Sequence, residues 1–419
     1  MTVILKTLWS RYRQMGSGFL LLLFMGVMYP LMVVPLQIKL PFLPDYPLDY
    51  YYAPRYMTLA VMSIFALAIL LKEKTGIRHR AFIPIGVFLF FALIASSLGA
   101  YPLTAWMGAP FFYTGFFSYI FCIILFLLAC REDWGIRLIP PMVAVAAFVS
   151  LLTMLQVLGV NLVPQDAFHK GMTAYGTMGN PDYYGTYAAF MLPAAFYLYI
   201  TSEERFLWLA AAAVIYGGLL VSFTWGAWLG GAVGGLFIAV QYFSRGQKKH
   251  WFILGGTLSA ITLIFAVGNI YLDLQSKVGI KAPLAQIKLW KKTLEFFTNS
   301  WSFGIGPDHL YHVRRMLSSS FMEKSPSMYL EIAVTLGIFA LATYVFFIGY
   351  VLVRGSGDEL AAMIIVYLVQ GLFHYEGIHL MPLFWIVLGL SLARSSVGKK
   401  TLETSMIREM DLENFNAVS

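Results

Sequence analysis

Residues 206–240 read FLWLAAAAVIYGGLLVSFTWGAWLGGAVGGLFIAV and contain no charged side chain. A bilayer-crossing helix needs roughly 20 mostly apolar residues, so the stretch predicts two spans, near 206–223 and 226–243, turning at SFTW. The apolar residues run on continuously and do not alternate with period two, which argues against a membrane β-barrel. The small residues in WGAWLGGAVGGLF at 225–237 suit close helix packing.

Working outward, runs of similar character recur along the chain. They predict further helices near 17–34, 56–71, 81–98, 109–130, 138–158, 183–200, 251–268, 328–353, 360–373 and 380–393, twelve in all. Of the 419 residues, 59% are hydrophobic and 12% charged, and the mean hydropathy is +0.72. A soluble domain carries about a quarter charged residues. The expected fold class is therefore all-α: one polytopic integral membrane domain over 1–419 with about twelve transmembrane helices and a long external loop, 269–327, carrying amphipathic helices.

Charge gives the expected orientation. With a cytoplasmic N-terminus, 18 of the 29 lysines and arginines fall inside, among them Lys6, Arg11, Arg13, Lys72, Arg205, Arg354 and Arg394. Most of the others lie between Lys277 and Lys324 in the long loop, which votes weakly in the positive-inside rule. Both termini are then expected in the cytoplasm. The basic start leads into an apolar stretch from Phe19 without a small-x-small cleavage site, so a retained first span is expected. Cys122 and Cys130 share one apolar run and read as packing residues. The net charge of +8 is spread over inter-helix loops, which fits membrane orientation and not nucleic acid.

The external segments hold the chemistry-bearing residues. Pro35 to Arg55 is rich in Pro and Tyr and reads as an irregular interfacial cap. Segment 159–182 contains glycines and Asn180-Pro181, which forbid a simple helix. In 269–327, AQIKLWKKTLEFF at 285–297 places Ile287, Trp290, Leu294 and Phe297 on one helical face, with lysines largely elsewhere. No nucleotide-binding glycine-lysine motif is present, so any reaction would draw on a preactivated substrate or a gradient.

Three constellations stand out. The external cations, including Arg55, His169, Lys288, Lys292, His309, Arg314, Arg315 and Lys324, suit a diphosphate, and equally the solvated, snorkelling surface of an outer loop. GTMGNPDYYG at 176–185 and SFGIGPDHL at 302–310 read as tight turns that admit close backbone approach, with Gly176, Asn180, Asp182, Gly304, Gly306 and Asp308 as loop-shaping or glycan-contacting candidates. HYEGIH at 374–379 offers acid/base groups in His374, Glu376 and His379. Its five-residue histidine spacing, interrupted by Gly377, is poor zinc geometry, so no metal is expected.

Five blocks in order carry a resemblance: GTMGNPDYYGTYAAFMLPAAF at 176–196, SFTWGAWLGG at 222–231, LWKKTLEFFTNSWSFGIGPDHL at 289–310, SMYLEIAVTLGIFAL at 327–341 and YLVQGLFHYEGIHLMPLFWIVLGL at 367–390. Over roughly Gly171 to Gly389 the chain resembles the bacterial O-antigen ligase and polysaccharide polymerase family, including teichuronic-acid and capsular polymerases. The resemblance implies metal-independent, inverting glycosyl transfer, without a cofactor, at the outer face of the cytoplasmic membrane. The donor would be a glycan on undecaprenyl diphosphate and the acceptor a growing lipid-linked polysaccharide, with a flippase and a chain-length regulator as assembly partners. Diphosphate contacts are expected from Lys288, Lys292, Arg314 and Arg315.

This chain departs from the family pattern in places. Trp225 stands where relatives commonly carry Arg, Gln286 where an Arg precedes the amphipathic helix's Trp, and Pro326 and Ser327 where His and Asn precede the Tyr-Leu-Glu block. Proline cannot act as a base, which leaves His309, Glu323, His374 and Glu376 as candidates. Alternative readings are an O-antigen-type ligase acting on a terminal acceptor, a lipid-linked glycan flippase, and a catalytically degenerate scaffold in polysaccharide assembly.

Overall fold

A computed structural model describes residues 16–36, 48–72, 81–131, 135–166, 169–243, 248–278, 283–312 and 323–395. The described residues are helical, with a single isolated antiparallel bridge between Leu36 and Asp49. In chain order the helices are α1 (Ser17–Leu31), α2 (Tyr52–Lys72), α3 (Phe82–Leu98), the short α4 (Pro102–Met107), α5 (Phe116–Ala129), α6 (Ile139–Val157), α7 (Pro181–Thr201) and α8 (Arg205–Val221). There follow α9 (Trp225–Tyr242), α10 (Lys248–Leu272), α11 (Leu274–Val278), α12 (Pro283–Ser300), α13 (Met328–Leu336), α14 (Ile338–Arg354), α15 (Asp358–Gln370) and α16 (Met381–Ser395).

Three of these, α2, α6 and α10, are long and apolar enough to cross a membrane; six more are shorter apolar helices. At 1.5 Å per residue the 15 residues of α1 reach only about 22 Å, so it would cross a bilayer only with thinning or help from its flanks. Burial differs sharply between helices. α7 is buried on nearly every side, from Tyr183 to Ile200, and α16 is buried from Met381 to Ala393. Apolar all round and enclosed all round, they form the centre of the bundle. In α10 only Leu254 is buried, while Phe252, Leu263, Ile264 and Ile270 stand exposed. Such a surface is suited to hydrocarbon and not to water.

The glycines of α9 set its approach to its neighbours. A Cβ on Gly230 would lie 3.2 Å from the Val366 carbonyl in α15, and one on Gly231 would lie 3.1 Å from Leu219 in α8 and 3.6 Å from Leu192 in α7. Small residues let the backbones close up, as expected from the sequence.

Two expected helices are corrected. The 328–353 run is split at Gly337, whose φ of 91° ends α13 and starts α14. The carbonyls freed by the break are taken by segment 301–306: Ile305 N donates to Val334 O at 3.0 Å and Gly306 N to Thr335 O at 2.9 Å, while Ile338 N donates to Trp301 O at 2.8 Å. The 109–130 run becomes helical only at Phe116, because the N–H groups of Ala109 and Thr114 are claimed by the Asp308 carboxylate at 2.8 and 3.1 Å. The expected external segment 269–327 also begins late, since α10 continues to Leu272.

Loop contacts sort into two ends of the bundle. At one end Pro30, Tyr51, 99–115, 164–181, 222–224, 301–312, 324–328 and 371–379 meet one another, for example through Tyr29 and Ile378, Tyr101 and His309, and Met328 and Gly371. At the other end Tyr199 and Arg205 meet His250, and Glu359 meets Arg394.

Candidate functional site

The turn from Gly371 to Leu380, between α15 and α16, is the point where the conspicuous sequence blocks converge. Met328 N, at the start of α13, donates to the carbonyls of Gly371 at 2.8 Å and His374 at 2.9 Å, and Ser327 Oγ donates to Gly371 O. These acceptors satisfy an N–H that a helix start would otherwise leave unpaired. The N-terminus of α9 backs the turn, because a Cβ on Gly226 would meet Phe373 at 2.6 Å and His374 at 3.0 Å. Trp290 of α12 lies 6.3 Å from Phe373, ring centre to ring centre. From α7, whose first turn is capped by Asn180 Oδ1 accepting from Asp182 N, Tyr183 stacks on His379 at 4.0 Å and donates its hydroxyl to Tyr375 at 2.9 Å.

Beside this turn lies a buried ionic triad. Lys324 Nζ is 2.5 Å from Asp308 Oδ1 and 3.4 Å from Glu331 Oε1, and it also donates to Thr114 Oγ1. The rings of Phe112 and Tyr375 stand 5.5 and 5.8 Å from the ammonium. Burial alone would lower the lysine's pKa, but the Asp308 and Glu331 charges outweigh it and hold the ammonium protonated. Lys324 is thus a fixed charge already paired by its own chain.

Glu376 sits on the inner side of the turn, where its Oε1 accepts the hydroxyls of Tyr367 at 2.8 Å and Tyr344 at 3.1 Å. Burial raises its pKa, although these hydroxyls and Lys324 pull the other way. Residues Thr186, Met328, Tyr367, Gln370, Gly371, His374–Gly377, His379 and Leu380 line a narrow cleft of about 20 Å³, room for about one water or one hydroxyl-sized group.

No family model, curated protein or solved structure matches this chain.

The candidates named from sequence fall into three groups. His374 and Glu376 line the cleft together, and Asp308 stands beside it in the triad. His309 is buried in a neighbouring lock: its Nε2 accepts from Tyr101 N at 2.9 Å and its Nδ1 faces Pro307 O at 2.9 Å, which fixes the Nδ1-protonated tautomer with both nitrogens occupied. Burial holds this imidazole below its ordinary pKa. Glu323 is half-buried next to Lys324 in the chain. Gly176, Gly179, Gly304 and Gly306 all have positive φ. Gly176 N donates to Gln156 Oε1 at 2.8 Å, and Gly306 N serves the helix break described above.

The cationic candidates are less fully placed. Arg314 and Arg315 lie outside the described residues, as do the side chains of Lys288 and Lys292, although the backbone of both lysines belongs to α12. Arg55, counted from sequence among external cations, is fully buried: it donates to the carbonyls of Tyr51, Pro30 and Thr177 at 2.6, 3.0 and 2.8 Å. His169 is likewise buried, between Asp166 Oδ1 at 2.6 Å and Gly179 O at 2.7 Å.

Sequence reasoning did not single out Lys324, Tyr183, Thr186 or Tyr375. Lys324 stood there as one external cation among many.

Proposed function

We propose that the chain is a glycan polymerase of the O-antigen ligase and polymerase type, moving an undecaprenyl-diphosphate-linked oligosaccharide onto a growing lipid-linked polysaccharide by inverting transfer. The observation that carries this reading is the meeting of α12, the amphipathic helix of LWKKTLEFF, with the HYEGIH turn through Trp290 and Phe373. That meeting sets a lysine-rich helix next to a cleft lined by imidazole and carboxylate. Inverting transfer needs such a pairing: cations to take up charge on a departing diphosphate, and a base to receive the acceptor's proton.

A lipid-linked donor also needs room for its chain. Between α7, α8, α9 and α10 runs an apolar cavity of about 500 Å³, lined by Phe196, Trp228, Gly231, Gly235, Trp251 and Leu258, among others. Such a cavity supports a prenyl chain lying along α9.

In this reading α13 and α14 count as one broken span, the chain crosses the cytoplasmic membrane twelve times, and both termini are cytoplasmic. Alternate loops then fall on alternate sides, in agreement with the two sets of loop contacts. The end bearing the cleft faces outward. A broken helix whose freed backbone groups are satisfied by protein is an accepted way to build such a site at membrane depth.

The test is incubation of the full-length protein in lipid with defined undecaprenyl-diphosphate repeat units, reading product length and released lipid diphosphate. A ladder with stoichiometric release is expected, weakened by charge-neutral substitution of Lys288, Lys292, Arg314 or Arg315. No product, with a related polymerase active in the same assay, would overturn the reading and favour transport or scaffolding.

A further inference from the structure

His379 differs from His309 and His169 in its hydrogen bonding. It is 2% exposed, and among the described residues its Nδ1 has no hydrogen-bond partner, whereas both nitrogens of His309 and of His169 are engaged. Burying an unsatisfied polar atom is unfavourable, which asks for a reason.

The neighbours fix which nitrogen carries the proton. Thr186 Oγ1 donates its only hydroxyl hydrogen to the Tyr183 carbonyl, 2.9 Å away. It can therefore only accept at its second contact, 3.1 Å from His379 Nε2. Nε2 is thus the protonated nitrogen, and Nδ1 carries a lone pair. Burial, with the Arg55 and His374 charges adding to it, holds the ring well below the ordinary histidine pKa, so it is neutral.

Gly377 lies against the edge of the ring that carries Nδ1. A Cβ there would lie 2.7 Å from His379 Nδ1 and 2.8 Å from Cε1. The backbone of Gly377 is not in the left-handed region, so its conformation does not call for glycine. Any other residue would press its Cβ against the Nδ1–Cε1 edge of the ring. Gly377 and His379 both line the cleft, which has room for one hydroxyl-sized group.

We infer that His379 Nδ1 is the general base of this site and receives the proton of a glycan hydroxyl that enters the cleft beside Gly377. The class of acceptor rests on the glycosyl-transfer reading above; the assignment of the lone pair does not. As the acceptor oxygen bonds to the anomeric carbon, the bond from that carbon to the diphosphate oxygen breaks and its electron pair leaves with the diphosphate. The hydroxyl proton passes to Nδ1, giving an imidazolium that keeps its Nε2–H on Thr186, and water takes the proton after the product departs. Tyr183, stacked on the ring, and Thr186 hold its plane and tautomer as positioning residues. Glu376, with its Oε1 occupied by two tyrosine hydroxyls, shapes the turn that carries the base.

Full-length wild type, His379→Gln and Gly377→Ala are reconstituted in lipid and compared for polymerisation and for binding of undecaprenyl diphosphate. Glutamine keeps an N–H for Thr186 but supplies no base. Turnover is expected to fall about 10²–10⁴-fold in H379Q, and to fall in G377A because the added methyl displaces the Nδ1–Cε1 edge of the ring. In H379Q, undecaprenyl diphosphate binding and thermal stability should stay within about threefold and a few degrees of wild type. Variants that turn over like an active wild type overturn the assignment and leave the polymerase reading standing. A wild type inactive on authentic donor and acceptor overturns that reading and the acceptor class with it. Independently of turnover, ¹⁵N NMR of histidine-labelled protein without substrate reports the tautomer. An unprotonated Nδ1 on His379 is expected, and a protonated one overturns the inference.

Discussion

The ammonium of Lys324 lies 2.5 Å from a carboxylate oxygen of Asp308, and both side chains are buried. Asp308 also holds Ala109 N and the hydroxyl and N–H of Thr114, so this one pair joins the 109–114 loop, the turn before α13 and the 302–310 block.

Removing the cation should therefore be costly. Lys324→Met leaves Asp308 and Glu331 buried without their counter-ion, and a loss of about 3–5 kcal/mol is expected. The double variant K324M/D308N should recover part of it. Thermal unfolding of the detergent-solubilised proteins checks this, and additive losses would argue against the pairing.

Glu376 predicts a pH dependence. Burial raises its folded-state pKa above the ordinary 4.5, so the native state binds this proton more tightly than the unfolded chain. The resulting stabilisation is complete below that ordinary value and is lost as pH rises through the folded one. Wild type minus Glu376→Gln should accordingly show stability declining as pH rises above the ordinary 4.5. Parallel unfolding curves for the two proteins would remove the basis of the prediction.

Arg55 should be structural. Its guanidinium satisfies three carbonyls from α1, the start of α2 and the GTMGNP turn. Arg55→Met is expected to lower stability by about 3 kcal/mol or more, and Arg55→Lys to recover only part, because an ammonium lacks the planar fork. The melting temperatures of both variants, with retention on size-exclusion chromatography, decide it.

Gly337 marks the break between α13 and α14. A Cβ there would meet Ser302 C at 2.6 Å and Phe303 Cα at 2.8 Å, and its φ of 91° is strained for any L side chain. Gly337→Ala should cost at least about 1–3 kcal/mol and reduce turnover, since the displaced 301–306 segment leads into Asp308. Unchanged stability would mean that the break does not need this backbone conformation.

Helix positions were readable because their signals are local. The run expected at 183–200 is α7 at Pro181–Thr201, begun by Asn180-Pro181; the run at 138–158 is α6 at Ile139–Val157; and the amphipathic face at 285–297 lies within α12. The two misjudged runs, 109–130 and 328–353, fail where a partner far along the chain takes the backbone groups a helix would use: Asp308 in one case and Trp301–Gly306 in the other. Within the site, His374, Glu376 and Asp308 could be picked out by residue type, but the occupied nitrogens of His309, the burial of Arg55 and the open lone pair of His379 could not.

The sequence by itself determined an all-helical chain with apolar runs of membrane-crossing character, because hydropathy and helix punctuation are summed residue by residue along a short window. Only the tertiary structure decided which polar groups are spent on one another and which remain available. That outcome depends on pairs such as Lys324 with Asp308, or His379 with Thr186 193 positions away. Local pattern carries no record of such pairs, since it is the packing of the helices that brings them within hydrogen-bonding distance.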